Sequence, residues 1–293
     1  MNNFQKVDVQ ILNAFVDGDE GGNPAGVVLD ADDLSNEQKL KIATKVGLSE
    51  TAFVSKSQIA DFKLDFFTPN KQIAHCGHAT IATFSYLSKL GKIKSQHSSK
   101  ETIDGIREIL LQDDWAFMEQ KAPTYIDVQG REEVILKSLH LTKNDLFGNA
   151  PISIINTGNS FALIPVANPE ILKNIKPDFD SINQISEEFD LIGYYVFCTQ
   201  TDNGERDADT RMFGPRYGIE EEAGTGMAAG PLAFYLYDKL NLKKERILIQ
   251  QGRFMKTPSP SLIIVDLIIE NGRVEKIMAG GKGVLSKTMI IEI

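Results

Sequence analysis

The chain has 293 residues, 42% of them hydrophobic and 24% charged, an ordinary globular mixture that excludes collagen-like, coiled-coil and disordered classes. Its 40 acidic residues outnumber 31 basic ones, and the formal charge of −9 repels nucleic acid and anionic membrane surfaces, so neither is an expected partner. The length is about twice that of the commonest domain, which favours two domains over one.

The first residues, Met1 to Asp17, lack a basic segment followed by an apolar run, so no secretory signal is expected there. A strand is predicted over Val7 to Val16. Next comes an amphipathic helix: Ser35 and Gln38 form a capping box, Leu40, Ile42, Ala43 and Val46 supply the buried stripe, and Gly47 stands where a C-cap glycine belongs. Leu48-Ser49-Glu50 then leads directly into a strand from Thr51 to Val54. Glu50 therefore occupies a junction fixed by rigid elements on both sides, a common place for an active-site side chain.

After the strand Phe62 to Phe67 the chain reads Thr68-Pro69, then Cys76-Gly77-His78-Ala79-Thr80 and an apolar run through Leu87. A helix opening at Gly77 is rich in small and apolar residues all round, the mark of an element buried on every side. His78 follows in its first turn, a placement expected to suit acid/base work. His75 and His78 are three apart, but no further Cys/His set completes a zinc site, and no metal is expected.

Strands are predicted over Ile106 to Leu111, Trp115 to Lys121, Ile152 to Asn156, Phe161 to Val166, Tyr194 to Thr199 and Thr210 to Phe213. The uncharged stretch Leu146 to Pro169 is broken by three prolines and four asparagines and cannot span a bilayer. Met212-Phe213-Gly214-Pro215 then repeats Phe66-Phe67-Thr68-Pro69 at an offset of 146 residues. An acidic loop, Glu220-Glu221-Glu222, follows, and a second helix is predicted to open at Gly224 and to continue through Met227, Ala228 and Ala229 to Leu236. Two copies at so long a period indicate a duplicated domain rather than a solenoid. The last predicted strands are Ile247 to Gln251, Leu262 to Ile269 and Leu285 to Ile291. The fold class is α+β with much antiparallel sheet.

Both glycine-opened helices offer bare N–H groups to an anion. Glu222, nearest the second helix, is the expected general acid of the acidic trio. Residues 224 to 229 also fit G-x-G-x-x-A, but a dinucleotide fingerprint needs an apolar strand running into its first glycine, and three glutamates stand there instead. Cys76 and Cys198 are too few for a disulfide framework and suit a reducing, cytoplasmic setting.

Four segments resemble the phenazine-biosynthesis PhzF-like isomerase family, which has the diaminopimelate epimerase fold. They are Gly22-Asn23-Pro24-Ala25-Gly26-Val27-Val28, Leu48 to Val54, Phe67-Thr68-Pro69 with Cys76 to Thr80, and Arg211 to Pro215 with Glu221 to Pro231. The resemblance implies two pseudo-symmetric domains, 1–119 joined by 282–293 and 120–281, each a sheet wrapped round a central helix, with the active site between them. It also implies a homodimer, no cofactor and a small carboxylate-bearing substrate. Glu50 takes the role of proton-shuttling acid/base, with His78 and Glu222 as further catalytic groups. Gly77, Gly226, Thr225, Met227 and Asn23 are implied substrate contacts.

Two departures bear on substrate. The family's usual E-D-P-A-T-G-S is here Glu221-Glu222-Ala223-Gly224-Thr225-Gly226-Met227, so a carboxylate moves by about one methylene and a hydroxyl is lost. Fold relatives that racemise amino acids use two opposed thiols; Cys76 holds the first position and Ala223 the second, which opposes two-cysteine racemisation. The alternatives are a noncatalytic binding member of the family and a Cys76-dependent epimerase. Cys198 reads as a buried small hydrophobe.

Overall fold

The computed structural model describes residues 5–202 and 204–293; the N-terminal expectation for Met1 to Asp17 falls partly on residues outside that range. The chain divides into two compact units, 1–119 with 280–293, and 120–279. Both are mixed α+β and dominated by sheet.

In the first unit, β1 (Lys6–Ala14), β2 (Asn23–Val28), α1 (Asn36–Val46), β3 (Thr51–Ser55), β4 (Phe62–Phe67), β5 (Gln72–Ile73), α2 (Gly77–Lys89), β6 (His97–Thr102), β7 (Gly105–Gln112) and β8 (Trp115–Gln120) follow in order. The predicted capping box of α1 is formed: Gln38 N–H donates to Ser35 Oγ, and Ser35 N–H donates to Gln38 Oε1. Gly47 closes the helix in the left-handed conformation at φ 70°. Its stripe packs Ile42 and Ala43 against Val9, Val28, Phe53 and Phe67 of the sheet.

β2 runs parallel to β3, with Gly26 opposite Thr51. Only glycine fits at 26, because a Cβ there would stand 2.7 Å from Thr51 Oγ1. β1 and β2, β3 and β4, β6 and β7, and β7 and β8 pair antiparallel. Helix α2 packs against β1, β2, β3 and β7, and Ala79, Thr80, Ile81, Ala82, Phe84 and Leu87 are buried. Small residues serve that packing: Ala82 lies under Gly283, whose absent Cβ would stand 2.9 Å from Ala82 Cα.

The second unit comprises β9 (Thr124–Ile126), α3 (Glu132–Ser138), β10 (Ser153–Asn156), β11 (Ser160–Pro165), α4 (Pro169–Asn174), α5 (Phe179–Glu188), β12 (Leu191–Cys198), β13 (Ala208–Gly214), β14 (Ile219–Glu222), α6 (Gly226–Asp238), β15 (Arg246–Gln251) and β16 (Ser261–Glu270). Helix α6 packs against β11 and β16. The short helices α3, α4 and α5, which the sequence reading omits, bury Ile135, Leu136, Leu172, Ile182 and Ile185 beside Ile154, Ile164 and Val196.

The final strand, β17 (Arg273–Glu292), is longer than the predicted Leu285 to Ile291 and passes from the second unit into the first. There it pairs antiparallel with β1 from Lys6↔Glu292 to Ala14↔Gly283. Among the described residues no helix is long and apolar enough to cross a membrane.

Candidate functional site

Glu50 directly precedes β3, and its backbone carbonyl accepts the Gly26 N–H at 3.0 Å. The left-handed Gly47 ends α1 and the β2–β3 pairing starts at Thr51, so the residue between them has little freedom. Its side chain is mostly buried, and Oε2 lies 3.4 Å from His78 Nε2. The other ring nitrogen, Nδ1, is 3.6 Å from Cys76 Sγ. Cys76 is the N-cap of α2 and His78 is in its first turn. One helix start thus presents a chain of three groups, thiol to imidazole to carboxylate, all inside the first unit.

Ligand atoms of Glu50, Cys76 and His78 all fall within 4.8 Å of one another. The imidazole is interposed, however, with a different nitrogen turned to each partner, and the α2 N-terminus adds positive potential. Such an arrangement serves proton movement better than capture of a cation. His75 is engaged elsewhere, its Nδ1 3.2 Å from Lys100 Nζ. Burial, with Lys100 and Arg107 nearby, holds the His75 imidazole well below its ordinary range. Gly77 opens α2, and Asn23 is buried at the start of β2, opposite Ala14.

The remaining expected residues lie in the second unit. The predicted acidic loop is a short strand, β14, and its three carboxylates are separated by their partners. Glu220 is exposed. Glu221 forms a two-pronged pair with Arg211, Nε to Oε1 and Nη2 to Oε2, each 2.8 Å. Glu222 accepts a hydrogen bond from Thr225 Oγ1. Helix α6 opens at Gly226, two residues later than predicted, because Thr225 is its N-cap and Ala223 and Gly224 belong to the turn.

A buried amide that the sequence reading missed organises this turn. Gln251, fully buried at the end of β15, donates from Nε2 to Glu222 O at 2.7 Å and to Thr225 Oγ1 at 3.0 Å. Its Oε1 accepts from Thr225 N at 3.0 Å and Tyr195 OH at 2.9 Å. Burial pushes the Tyr195 phenol up, and the charge of Glu222 adds to this. Gln120 Nε2 similarly donates to Gly226 O at 2.9 Å, and Asn159 Nδ2 lies 3.3 Å from Met227 Sδ. The signal for Gln251 was a glutamine falling on the inward face of a strand, in phase with Ile247 and Ile249.

Two surface recesses involve none of these residues. One of about 320 Å³ is lined by His140, Glu170 and Lys176 among others, and one of about 90 Å³ by Asp32, Lys56 and Asp61 among others.

The chain matches the family model of phenazine biosynthesis-like proteins, PhzC-PhzF, over residues 12–288. It is 31% identical to an uncharacterized isomerase, YddE, of Escherichia coli K12, with 96% of each chain covered. It is 29% identical to trans-2,3-dihydro-3-hydroxyanthranilate isomerase of Pseudomonas chlororaphis, covering 94% of this chain and 95% of that one. The crystal structure of a PhzF-family phenazine biosynthesis protein from Bacillus anthracis superposes with a TM-score of 0.88 at 28% identity, covering 99% of this chain and 100% of that chain.

Proposed function

The chain belongs to the phenazine biosynthesis-like PhzC-PhzF family and is an isomerase, and from that premise we propose that Glu50 is its acid/base. Glu50 takes a proton from a carbon of a small carboxylate-bearing substrate and returns it to another. The observation that carries this reading is the 3.4 Å approach of Glu50 Oε2 to His78 Nε2 at the start of α2. A mostly buried carboxylate beside an imidazole has a proton partner without competition from bulk water.

We take Gly77 and Asn23 as substrate contacts in the first unit, and Gly226, Thr225 and Met227 as substrate contacts in the second, with Glu222 there as second acid; the bare N–H groups at each helix start suit a carboxylate. No cofactor is required, since the hydrogen moves as a proton and no electron pair leaves the substrate. We further take the protein to be a cytoplasmic homodimer built from two copies of one domain, 1–119 with 282–293 and 120–281. Glu222 and Met227 replace an aspartate and a serine of the usual motif. We therefore expect a substrate less hydroxylated than trans-2,3-dihydro-3-hydroxyanthranilate.

The test is deuterium incorporation from D2O into a panel of small unsaturated and amino carboxylates, with that dihydrohydroxyanthranilate included. Glu50→Gln is expected to lose incorporation by about a thousandfold or more while retaining ligand binding. Undiminished incorporation in Glu50→Gln refutes the assignment. A second reading, a Cys76-centred epimerase, draws on the 3.6 Å contact of Cys76 with His78. It requires Cys76→Ser to be inactive and Glu50→Gln to keep activity.

A further inference from the structure

Lys100, on β6, has no exposed surface. Among the described residues its hydrogen-bond partners are Thr80 Oγ1 at 2.6 Å and His75 Nδ1 at 3.2 Å, and its Nζ stands 5.1 Å from the Phe66 ring centroid. None of these carries negative charge. Burying an ammonium among such neighbours is costly unless an anion lies close by.

The candidate anion is the sulfur of Cys76, whose charge acts on Lys100 together with that of Asp104. Thr80, which accepts from Lys100, donates in turn to Cys76 O at 2.6 Å, so Lys100 is tied to the residue that caps α2. Arg107 and Asp104 are the other charged groups acting on Lys100, and the His75 imidazole beside it is held well below its ordinary range. Burial pulls the Lys100 amine down to about 7; a Cys76 thiolate pushes it back up, Arg107 lowers it and Asp104 raises it. Two positive influences therefore bear on Cys76, the α2 N-terminus and, by way of Thr80, Lys100; they act against the burial of the thiol and the Glu50 carboxylate within 4.8 Å. Helix N-termini and neighbouring cations are the settings that convert a thiol to thiolate at neutral pH.

We propose that Lys100 is a positioning residue for the Cys76–His78–Glu50 chain, holding Cys76 as the thiolate from behind α2. The thiolate accepts the His78 Nδ1–H and so fixes the ring tautomer. Nε2 is left to exchange a proton with Glu50: the Glu50 O–H bond breaks as the Nε2–H bond forms, and the reverse step restores it. That last consequence rests on the isomerase reading, whereas the thiolate itself does not.

The test is the pH dependence of iodoacetamide alkylation of the full chain, read on the Cys76 peptide by mass spectrometry. Cys198 does not interfere, because burial and Asp209 push its thiol up to about 12. Wild-type Cys76 is expected to react with a midpoint at least one unit below the ordinary value of about 8.5. Lys100→Met is expected to raise that midpoint by a unit or more, slowing alkylation at pH 6.5 about tenfold. Lys100→Gln carries the same expectation if the methionine variant does not fold. A wild-type midpoint at or above about 8.5, or a variant profile superimposed on wild type, overturns the proposal. Exchange retained in Glu50→Gln would refute the isomerase mechanism and leave the alkylation profile unchanged, so the two failures are separable.

Discussion

Glu50 and His78 meet at 3.4 Å although one ends a loop after α1 and the other opens α2. The meeting is set by β3: Thr51 pairs with Phe67 at the end of β4, and the chain leaving β4 returns through Cys76 into α2. Replacing His78 by glutamine keeps a polar side chain and removes the titratable partner. Turnover, measured as deuterium incorporation, is expected to fall about a hundredfold to ten-thousandfold with the fold intact.

Lys39 on α1 and Asp65 on β4 form a buried ion pair, 2.6 Å apart with side chains 7% and 9% exposed. Removing one partner strands the other without water. Lys39→Met is expected to cost about 3–5 kcal/mol in urea unfolding, and adding Asp65→Leu is expected to recover most of that loss.

Asp209 on β13 is nearly inaccessible, and burial pushes its carboxyl up to about 6, with Asp202 adding to the effect and Arg253, 3.2 Å away, opposing it. Here the folded value lies above the unfolded one, near 3.8. The native state holds the proton more tightly, so this group's contribution to stability falls as pH rises from about 4 to 6 and is constant above that. Asp209→Asn is expected to remove that slope and to raise the thermal midpoint at pH 7 relative to wild type.

Gln251→Leu is expected to destabilise the second unit by about 3 kcal/mol, because it strands the Thr225 N–H and the Glu222 carbonyl together. Chemical denaturation measures the loss. Gln251→Glu is expected to be disruptive as well, since a carboxylate cannot donate to Glu222 O.

The elements that the sequence revealed are those whose inward faces are apolar. The capping box and Gly47 announced α1, and small residues after Gly77 announced α2. β6 stayed hidden because its inward positions are Ser98, Lys100 and Thr102, so hydrophobic alternation carries no trace of it. Lys100 was lost with it. Helices α3 and α4 were too short to establish a period, with seven and six residues. The second helix was placed two residues early because Gly224 looks like a helix start, whereas the hydrogen bond of Thr225 to Glu222 and the grip of Gln251 hold Thr225 at the cap. Glu50 was legible from local junction chemistry. Its pairing with His78 was not, since that depends on a tertiary register.

The strand β17 makes the two units unequal as the chain is synthesised. Residues 120–279 are contiguous and complete once they have emerged, so the second unit can close on itself. The first unit has β1 paired with β2 but lacks its second partner until Gly283 to Glu292 arrive. Its sheet is therefore finished by a pairing of long sequence separation, Lys6 with Glu292, which makes it the slower unit to form. In the meantime β1 offers an open edge bearing Val7, Val9 and Ile11, the kind of surface that pairs with other chains. The sheet of the unit that carries Glu50 is thus complete only when residues 283–292 have joined β1.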